Sequence, residues 1–127
     1  MKYVNHWVVA WLDWNLALDE EGEPTYPKRS LNAGIIVNSK KDEFYKTPLY
    51  YAIKHVSRFV VRNSIRISIT DTELIKTAAF VTPSDEVVVV LYNNQSIPDS
   101  VTLKDPDKGT IQLDLTPRSM NTIVYRL

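Results

Sequence analysis

The sequence predicts a mixed α+β chain in which a strand-and-helix half is followed by an all-β half. Three observations predict it. Trp7-Val8-Val9-Ala10-Trp11 is a continuous apolar run of the kind that forms a strand buried on both faces. Leu49, Ala52, Ile53, Val56, Phe59 and Val60 recur at spacings of three and four, which lines up one apolar face of a helix. After residue 62 the period falls to two, with Ile65, Ile67 and Ile69 alternating with Arg66, Ser68 and Thr70 as in a half-buried strand.

In chain order, the first strand stops at Asp13-Trp14-Asn15 and gives way to a charged loop, Asp19-Glu20-Glu21-Gly22-Glu23-Pro24, closed by glycine and proline. Gly34-Ile35-Ile36-Val37 reads as a short strand. Thr47-Pro48 opens the helix, with the hydroxyl as N-cap and proline at the first helical position. Lys54 and Arg58 sit in its C-terminal half, where cations suit the helix dipole. Beyond the strand at 65–70, segments near 77–82, 86–92, 100–104, 110–115 and 121–126 also read as strands. Their separators are Pro83-Ser84-Asp85, Asn93-Asn94, Asp105-Pro106-Asp107-Lys108-Gly109 and Thr116-Pro117-Arg118-Ser119. Regular short strands with such turns predict an antiparallel sandwich, which usually has about 7 strands or more, and here only six are visible. Val87-Val88-Val89-Val90-Leu91 is apolar on both faces and is therefore expected at the centre of its sheet.

The chain has 127 residues, 44% of them hydrophobic, enough for a packed core. Its 15 basic and 15 acidic side chains cancel and the basic ones are scattered, so no net field draws nucleic acid. Without cysteine there is neither a disulfide framework nor thiolate chemistry. His6 and His55 are far apart and outside any metal-ligand spacing, so no metal and no cofactor is expected. No apolar run approaches the ~20 residues that span a bilayer. The opening residues are read as folded structure rather than as a signal peptide, because Asp13 cuts the apolar stretch short and no cleavage site follows. Asn94-Gln95-Ser96 is an N-glycosylation sequon in a turn context, relevant only to a secreted chain.

The candidate site is where the first apolar run ends. Asp13, Trp14 and Asn15 put a carboxylate, an indole and an amide side by side. A sugar ring has apolar C–H faces and a rim of hydroxyls, and a flat aromatic surface beside short acids and amides suits it. A core tryptophan pair followed by an ordinary turn is the commoner reading of the same residues, and composition alone leaves both open. Glu20, Glu21 and Glu23 read as a solvated charge run. His55 lies beside the apolar stripe of the helix as a packing contact, and Tyr50, Tyr51 and Tyr92 read as core or interface residues.

The run Val8-Val9-Ala10-Trp11-Leu12-Asp13-Trp14-Asn15-Leu16-Ala17-Leu18 resembles the last barrel strand of the glucosylceramidases, the acid β-glucosidases of glycoside hydrolase family 30. The resemblance continues through Gly22-Glu23-Pro24, Ile35-Ile36-Val37, Phe44-Tyr45-Lys46-Thr47-Pro48, His55-Val56-Ser57-Arg58-Phe59, Val87-Val88-Val89-Val90-Leu91 and Lys104-Asp105-Pro106, in order and over nearly the whole chain. It implies a (β/α)8 barrel with a β-sandwich beside it, of which this chain is the C-terminal portion. Residues 1–62 would be the last barrel strand, a loop insertion and the closing helix, and residues 63–127 an incomplete β-sandwich whose other strands come from the N-terminal end. The missing strands then explain why six looked too few.

The resemblance also implies the chemistry. The family hydrolyses glucosylceramide to glucose and ceramide with retention, through two glutamates on earlier barrel strands, so no residue here is catalytic and the chain alone is expected to be inactive. Trp14 aligns with a tryptophan that lines the glucose pocket and Asp13 with the acid beside it, at the strand end where barrel active sites lie. Trp7 and Trp11 are assigned to the barrel core. Arg29 marks a departure, because family members often carry there an asparagine that helps line the site. By resemblance the intact enzyme would be lysosomal or secreted and would meet a glucosyl lipid, a lipid-activator protein and an anionic membrane surface. The alternative is a stand-alone, non-catalytic β-sandwich module that binds carbohydrate or a protein partner.

Overall fold

The computed structural model describes residues 2–26 and 31–127. They form two compact units, one of residues 9–54 and the other of residues 1–8 with 55–127.

In the smaller unit β1 (Ala17–Asp19), β2 (Ile35–Asn38) and β3 (Glu43–Lys46) make a three-stranded sheet in that order. β1 runs parallel to β2, pairing Ala17 with Ile35 and Asp19 with Val37. β2 and β3 form a hairpin whose turn is fixed by Asn38 Oδ1, which accepts the Lys41 N–H at 3.1 Å. Leu18 and Ala33 are buried, whereas all four residues of β3 are exposed. β3 is held by its ladder with β2 and has no buried face of its own, which is why its sequence carries no strand signal.

The apolar run at 7–11 does not form the predicted strand; the first strand of the sheet is β1 instead. A strand exists only through the ladder its neighbours supply, and no strand lies beside this run among the described residues. Trp7 is 85% exposed, Val9 98% and Leu12 93%, so the assignment of Trp7 and Trp11 to a core is not met within this chain.

Helix α1 (Pro48–Ser57) begins at the expected proline and ends before Phe59 and Val60, whose N–H groups close turns onto the Val56 carbonyl. Leu49, Ala52, Ile53 and Val56 are half-buried, as the stripe predicts, and Phe59 is exposed. The expected N-cap works differently. The Thr47 hydroxyl donates to the Ala33 and Gly34 carbonyls, at 3.0 and 3.1 Å, and so anchors the helix start to the residues that lead into β2 rather than capping its own first turn.

In the larger unit, β4 (Ile65–Ile67), β5 (Ile75–Val81), β6 (Glu86–Asn93) and β9 (Ser119–Arg126) form one antiparallel sheet in the order β4-β5-β6-β9. β7 (Asp99–Asp105) and β8 (Gly109–Leu115) form a second, two-stranded one. These are the six strands the sequence predicts, and β6 is central as expected, with Val87 to Leu91 buried throughout. The core between the sheets consists of Ile75, Ala79, Val87, Val89, Leu91 and Leu115, with Val101, Leu103, Leu113 and Ile123 packed against it. The opposite face of the four-stranded sheet carries Ala78, Phe80, Val88 and Val90, also buried. There Asn5 Nδ2 donates to the Thr77 carbonyl at 2.8 Å, and Asn5 Oδ1 accepts from Arg66 Nε at 3.1 Å. His55 Nδ1 lies 2.8 Å from the Thr122 hydroxyl, so this histidine is tied to β9 by a hydrogen bond.

Candidate functional site

The residues around Trp14 are positioned by a loop that organises itself. Asp19 Oδ1 accepts the N–H groups of Glu21 and Glu23, at 3.0 and 2.8 Å, and Glu23 Oε2 accepts that of Thr25 at 2.6 Å. Gly22 takes a left-handed φ of 83° inside that turn, a conformation that glycine adopts at no steric cost. The acidic run is therefore exposed, as expected, and two of its carboxylates also serve as local turn acceptors. The loop brings Pro24, Thr25 and Tyr26 against Trp14 and Asn15, and these five residues line an open cleft of about 270 Å³.

Two aromatic side chains thus border a cleft whose polar groups are short. Trp14 is 79% exposed, its indole accessible rather than packed in a core. Asn15 Nδ2 and Thr25 Oγ1 are both shielded from solvent, and neither has a hydrogen-bond partner. Buried polar atoms are nearly always paired, so these two stand out in the wall of the cleft. Such a cleft can stack an apolar ring face on Trp14.

Asp13 is brought to the same turn but not into the cleft lining: its Oδ1 accepts the Trp14 N–H at 3.0 Å. Arg29 lies outside the described residues. The sequence reading did not single out Thr25 or Tyr26; the Gly22-to-Pro24 turn was the signal that the chain folds back there. Next to the sheet, Lys46 Nζ lies 5.1 Å from the centre of the Tyr50 ring, and Tyr50 meets Tyr51 edge-on at 5.5 Å. Among the described residues, no cluster of three or more metal-ligating side chains occurs. No helix there is long and apolar enough to cross a membrane.

Residues 1–60 match the family model of the glycosyl hydrolase family 30 TIM-barrel domain, and residues 63–123 match that of the family's β-sandwich domain. The chain belongs to glycosyl hydrolase family 30. Its two family regions follow one another over nearly the whole sequence, a barrel portion and then a sandwich portion, which is the predicted fold class. Lysosomal acid glucosylceramidase of Mus musculus is 36% identical over 121 residues, covering 94% of this chain and 24% of that protein. Putative glucosylceramidase 3 of Caenorhabditis elegans is 34% identical over 126 residues, covering 97% of this chain and 24% of the relative. The chain therefore spans about a quarter of the length of the curated relatives it matches. Among solved structures, SrfJ from Salmonella typhimurium matches with a TM-score of 0.83 at 29% identity, covering 91% of this chain and 26% of that one. An endo-β1,6-glucanase matches with a TM-score of 0.88 over 99% of this chain and 29% of its own; at 21% identity this shows a shared fold alone.

Proposed function

We propose that the chain is the C-terminal part of a retaining glycoside hydrolase that cleaves a glucosyl lipid, glucosylceramide, to glucose and ceramide. In this reading residues 1–62 complete the catalytic barrel and residues 63–127 belong to its β-sandwich. The observation that carries the reading is Trp14: a solvent-accessible indole bordering a cleft, within a region matched by the family's barrel model. The names of the relatives supply the substrate class.

Retaining hydrolysis needs two carboxyl groups about 5–5.5 Å apart, one to attack the anomeric carbon and one to protonate the leaving oxygen and then activate water. In this reading both belong to earlier barrel strands. The chain contributes the sugar-binding wall: Trp14 stacks on the ring, and Asp13 keeps that tryptophan in place or accepts a sugar hydroxyl. The complete protein would work in the lysosome, in line with the mouse relative's name, or outside the cell. There it would meet its lipid at an anionic membrane surface with a lipid-activator protein.

The test is hydrolysis of a fluorogenic β-glucoside by the purified 127-residue chain and by the complete protein. The expected result is turnover by the complete protein alone. Turnover by the chain above the background of an Asp13→Asn variant would overturn the assignment of the carboxylates, and an inactive complete protein would overturn the substrate class.

A further inference from the structure

The sequon Asn94-Gln95-Ser96 lies in the turn that follows β6, and the proposed catalysis makes no use of it. The backbone there is pinned on both sides of Gln95. Its N–H donates to Oδ1 of the buried Asn93 at 2.9 Å, and its carbonyl accepts the Arg118 N–H at 3.0 Å. With Asn93 turned inward and Gln95 fixed, Asn94 and Ser96 stand exposed. Asn94 Oδ1 is in use: it accepts from the Tyr92 hydroxyl at 2.9 Å and lies 3.5 Å from Arg118 Nη1. A guanidinium only donates, so the amide oxygen faces it and the amide nitrogen is the free end. Neither Asn94 Nδ2 nor the Ser96 hydroxyl has a hydrogen-bond partner among the described residues.

An acceptor for N-glycosylation needs an Asn-X-Ser/Thr triplet with X other than proline, set in a surface loop with its amide nitrogen within reach. This turn meets each requirement, and the neighbouring aromatic adds a place for the sugar. Tyr92 and Asn94 are two residues apart at the end of a strand, so their side chains lie on one face, and the hydrogen bond between them holds the phenol beside the amide. The apolar C–H face of a sugar attached at Nδ2 can rest on the half-buried Tyr92 ring. We propose that Asn94 carries an N-linked glycan whose first N-acetylglucosamine packs on Tyr92. This rests on the reading of the complete protein as lysosomal or secreted, because the transfer takes place on chains that enter the secretory pathway. The donor is an oligosaccharide on a lipid diphosphate. Asn94 Nδ2 bonds to the anomeric carbon as the bond from that carbon to the diphosphate oxygen breaks. The diphosphate leaves with the electron pair, and one amide proton passes to a base of the transferase. Oδ1 is untouched, so its contacts with Tyr92 and Arg118 survive the modification.

The experiment expresses the complete protein in eukaryotic cells, once with its own N-terminus and once behind an appended secretory leader. The tryptic peptide of residues 77–104 is then weighed before and after treatment with peptide N-glycosidase. A glycopeptide is expected, which the enzyme returns to the bare peptide with Asn94 converted to aspartate. Ser96→Ala should abolish the glycan and Ser96→Thr should keep it. An unmodified peptide from protein secreted behind the leader overturns the proposal, as does a modification that survives Ser96→Ala. A glycan found only behind the appended leader leaves the site standing and counts against the proposed localisation instead. The contact with Tyr92 is read from melting temperatures. The Ser96 hydroxyl has no hydrogen bond to lose, so a fall on Ser96→Ala reports the missing glycan. That fall should be smaller when Tyr92→Ala is already present. Equal falls in the two backgrounds overturn the packing on Tyr92.

Discussion

Tyr125 Oη donates a hydrogen bond of 2.8 Å to Asp105 Oδ2, tying the last strand of the four-stranded sheet to the end of the two-stranded one. Asp105 is occupied on its other oxygen too, where Oδ1 accepts the Asp107 and Lys108 N–H groups at 2.9 and 3.1 Å. One carboxylate thus sets the β7–β8 turn, completed by Gly109 at a left-handed φ of 98°, and clamps it to β9. Burial, and then the hydrogen bond to Asp105, push the Tyr125 hydroxyl up to about 12. The hydrogen bond from Tyr125, and then that from the Asp107 N–H, hold Asp105 below its ordinary value.

The pH dependence follows with opposite signs for the two partners. Folding disfavours the tyrosinate, so the Tyr125 contribution is complete below its unfolded value of 10.0 and is lost as pH rises towards about 12. Folding favours the Asp105 carboxylate, so its contribution is complete above the unfolded value of 3.8 and is lost as pH falls below it. Tyr125→Phe should lower the melting temperature at neutral pH. The difference between wild type and variant should be flat from about pH 5 to 9 and shrink at both ends. A difference that keeps its full size at pH 12 would show that the hydroxyl contributes nothing.

Asn93 has the most demanding polar environment in the larger unit. It is fully buried, its Nδ2 donates to the Ile97 and Thr116 carbonyls at 3.0 and 3.1 Å, and its Oδ1 accepts the Gln95 N–H at 2.9 Å. One side chain therefore joins the end of β6 to the turn that precedes β9. Asn93→Leu leaves buried carbonyls and an N–H without partners, and should cost about 3 kcal/mol in chemical denaturation. Leu115→Ala, which opens a cavity in the adjoining core, should cost about as much, about 3 kcal/mol.

At the start of α1, the two bonds from the Thr47 hydroxyl to the Ala33 and Gly34 carbonyls predict a separation between two conservative substitutions. Thr47→Ser keeps the donor and should change stability little. Thr47→Val keeps the shape but removes the hydroxyl, and should cost about 1 kcal/mol. Equal losses in the two variants would mean that shape, not hydrogen bonding, sets the helix start.

The larger unit was legible in the sequence because its strands carry their own signals. Val87 to Leu91 is apolar on both faces only because it lies between two strands and two layers, so composition alone reveals a central strand. The turns at 83–85, 93–94, 105–109 and 116–119 are written in proline, glycine, asparagine and aspartate. The smaller unit is different, because there the structure depends on partners. Residues 9–11 have strand composition but no strand beside them among the described residues, while β3 has a neighbour but an exposed Glu-Phe-Tyr-Lys sequence. Thr47 announces a cap through its type and position, yet its hydroxyl reaches carbonyls 13 and 14 residues upstream that no local pattern identifies. At the candidate site, Trp14 and Asp13 stand out by type, whereas Thr25 and Tyr26 reach the cleft only because the loop folds back.

That cleft leads to a prediction on the complete protein. Trp14 presents an exposed indole at the cleft, whereas Asp13 uses one carboxylate oxygen on the Trp14 backbone N–H and does not line it. The two should therefore fail differently. Trp14→Ala removes the stacking face and should lower kcat/KM on a β-glucoside by about 2 kcal/mol, roughly thirtyfold, mostly through KM. Trp14→Phe keeps a ring and loses the indole N–H, and should fall between wild type and Trp14→Ala. Asp13→Asn still offers a carbonyl oxygen to the Trp14 N–H, so a carboxylate that only positions the tryptophan should lose less than Trp14→Ala and mainly in kcat. A dominant rise in KM for Asp13→Asn would place the carboxylate on a sugar hydroxyl instead. Steady-state kinetics of the three variants beside wild type decide between these roles, because a positioning group and a binding group divide their effects differently between kcat and KM.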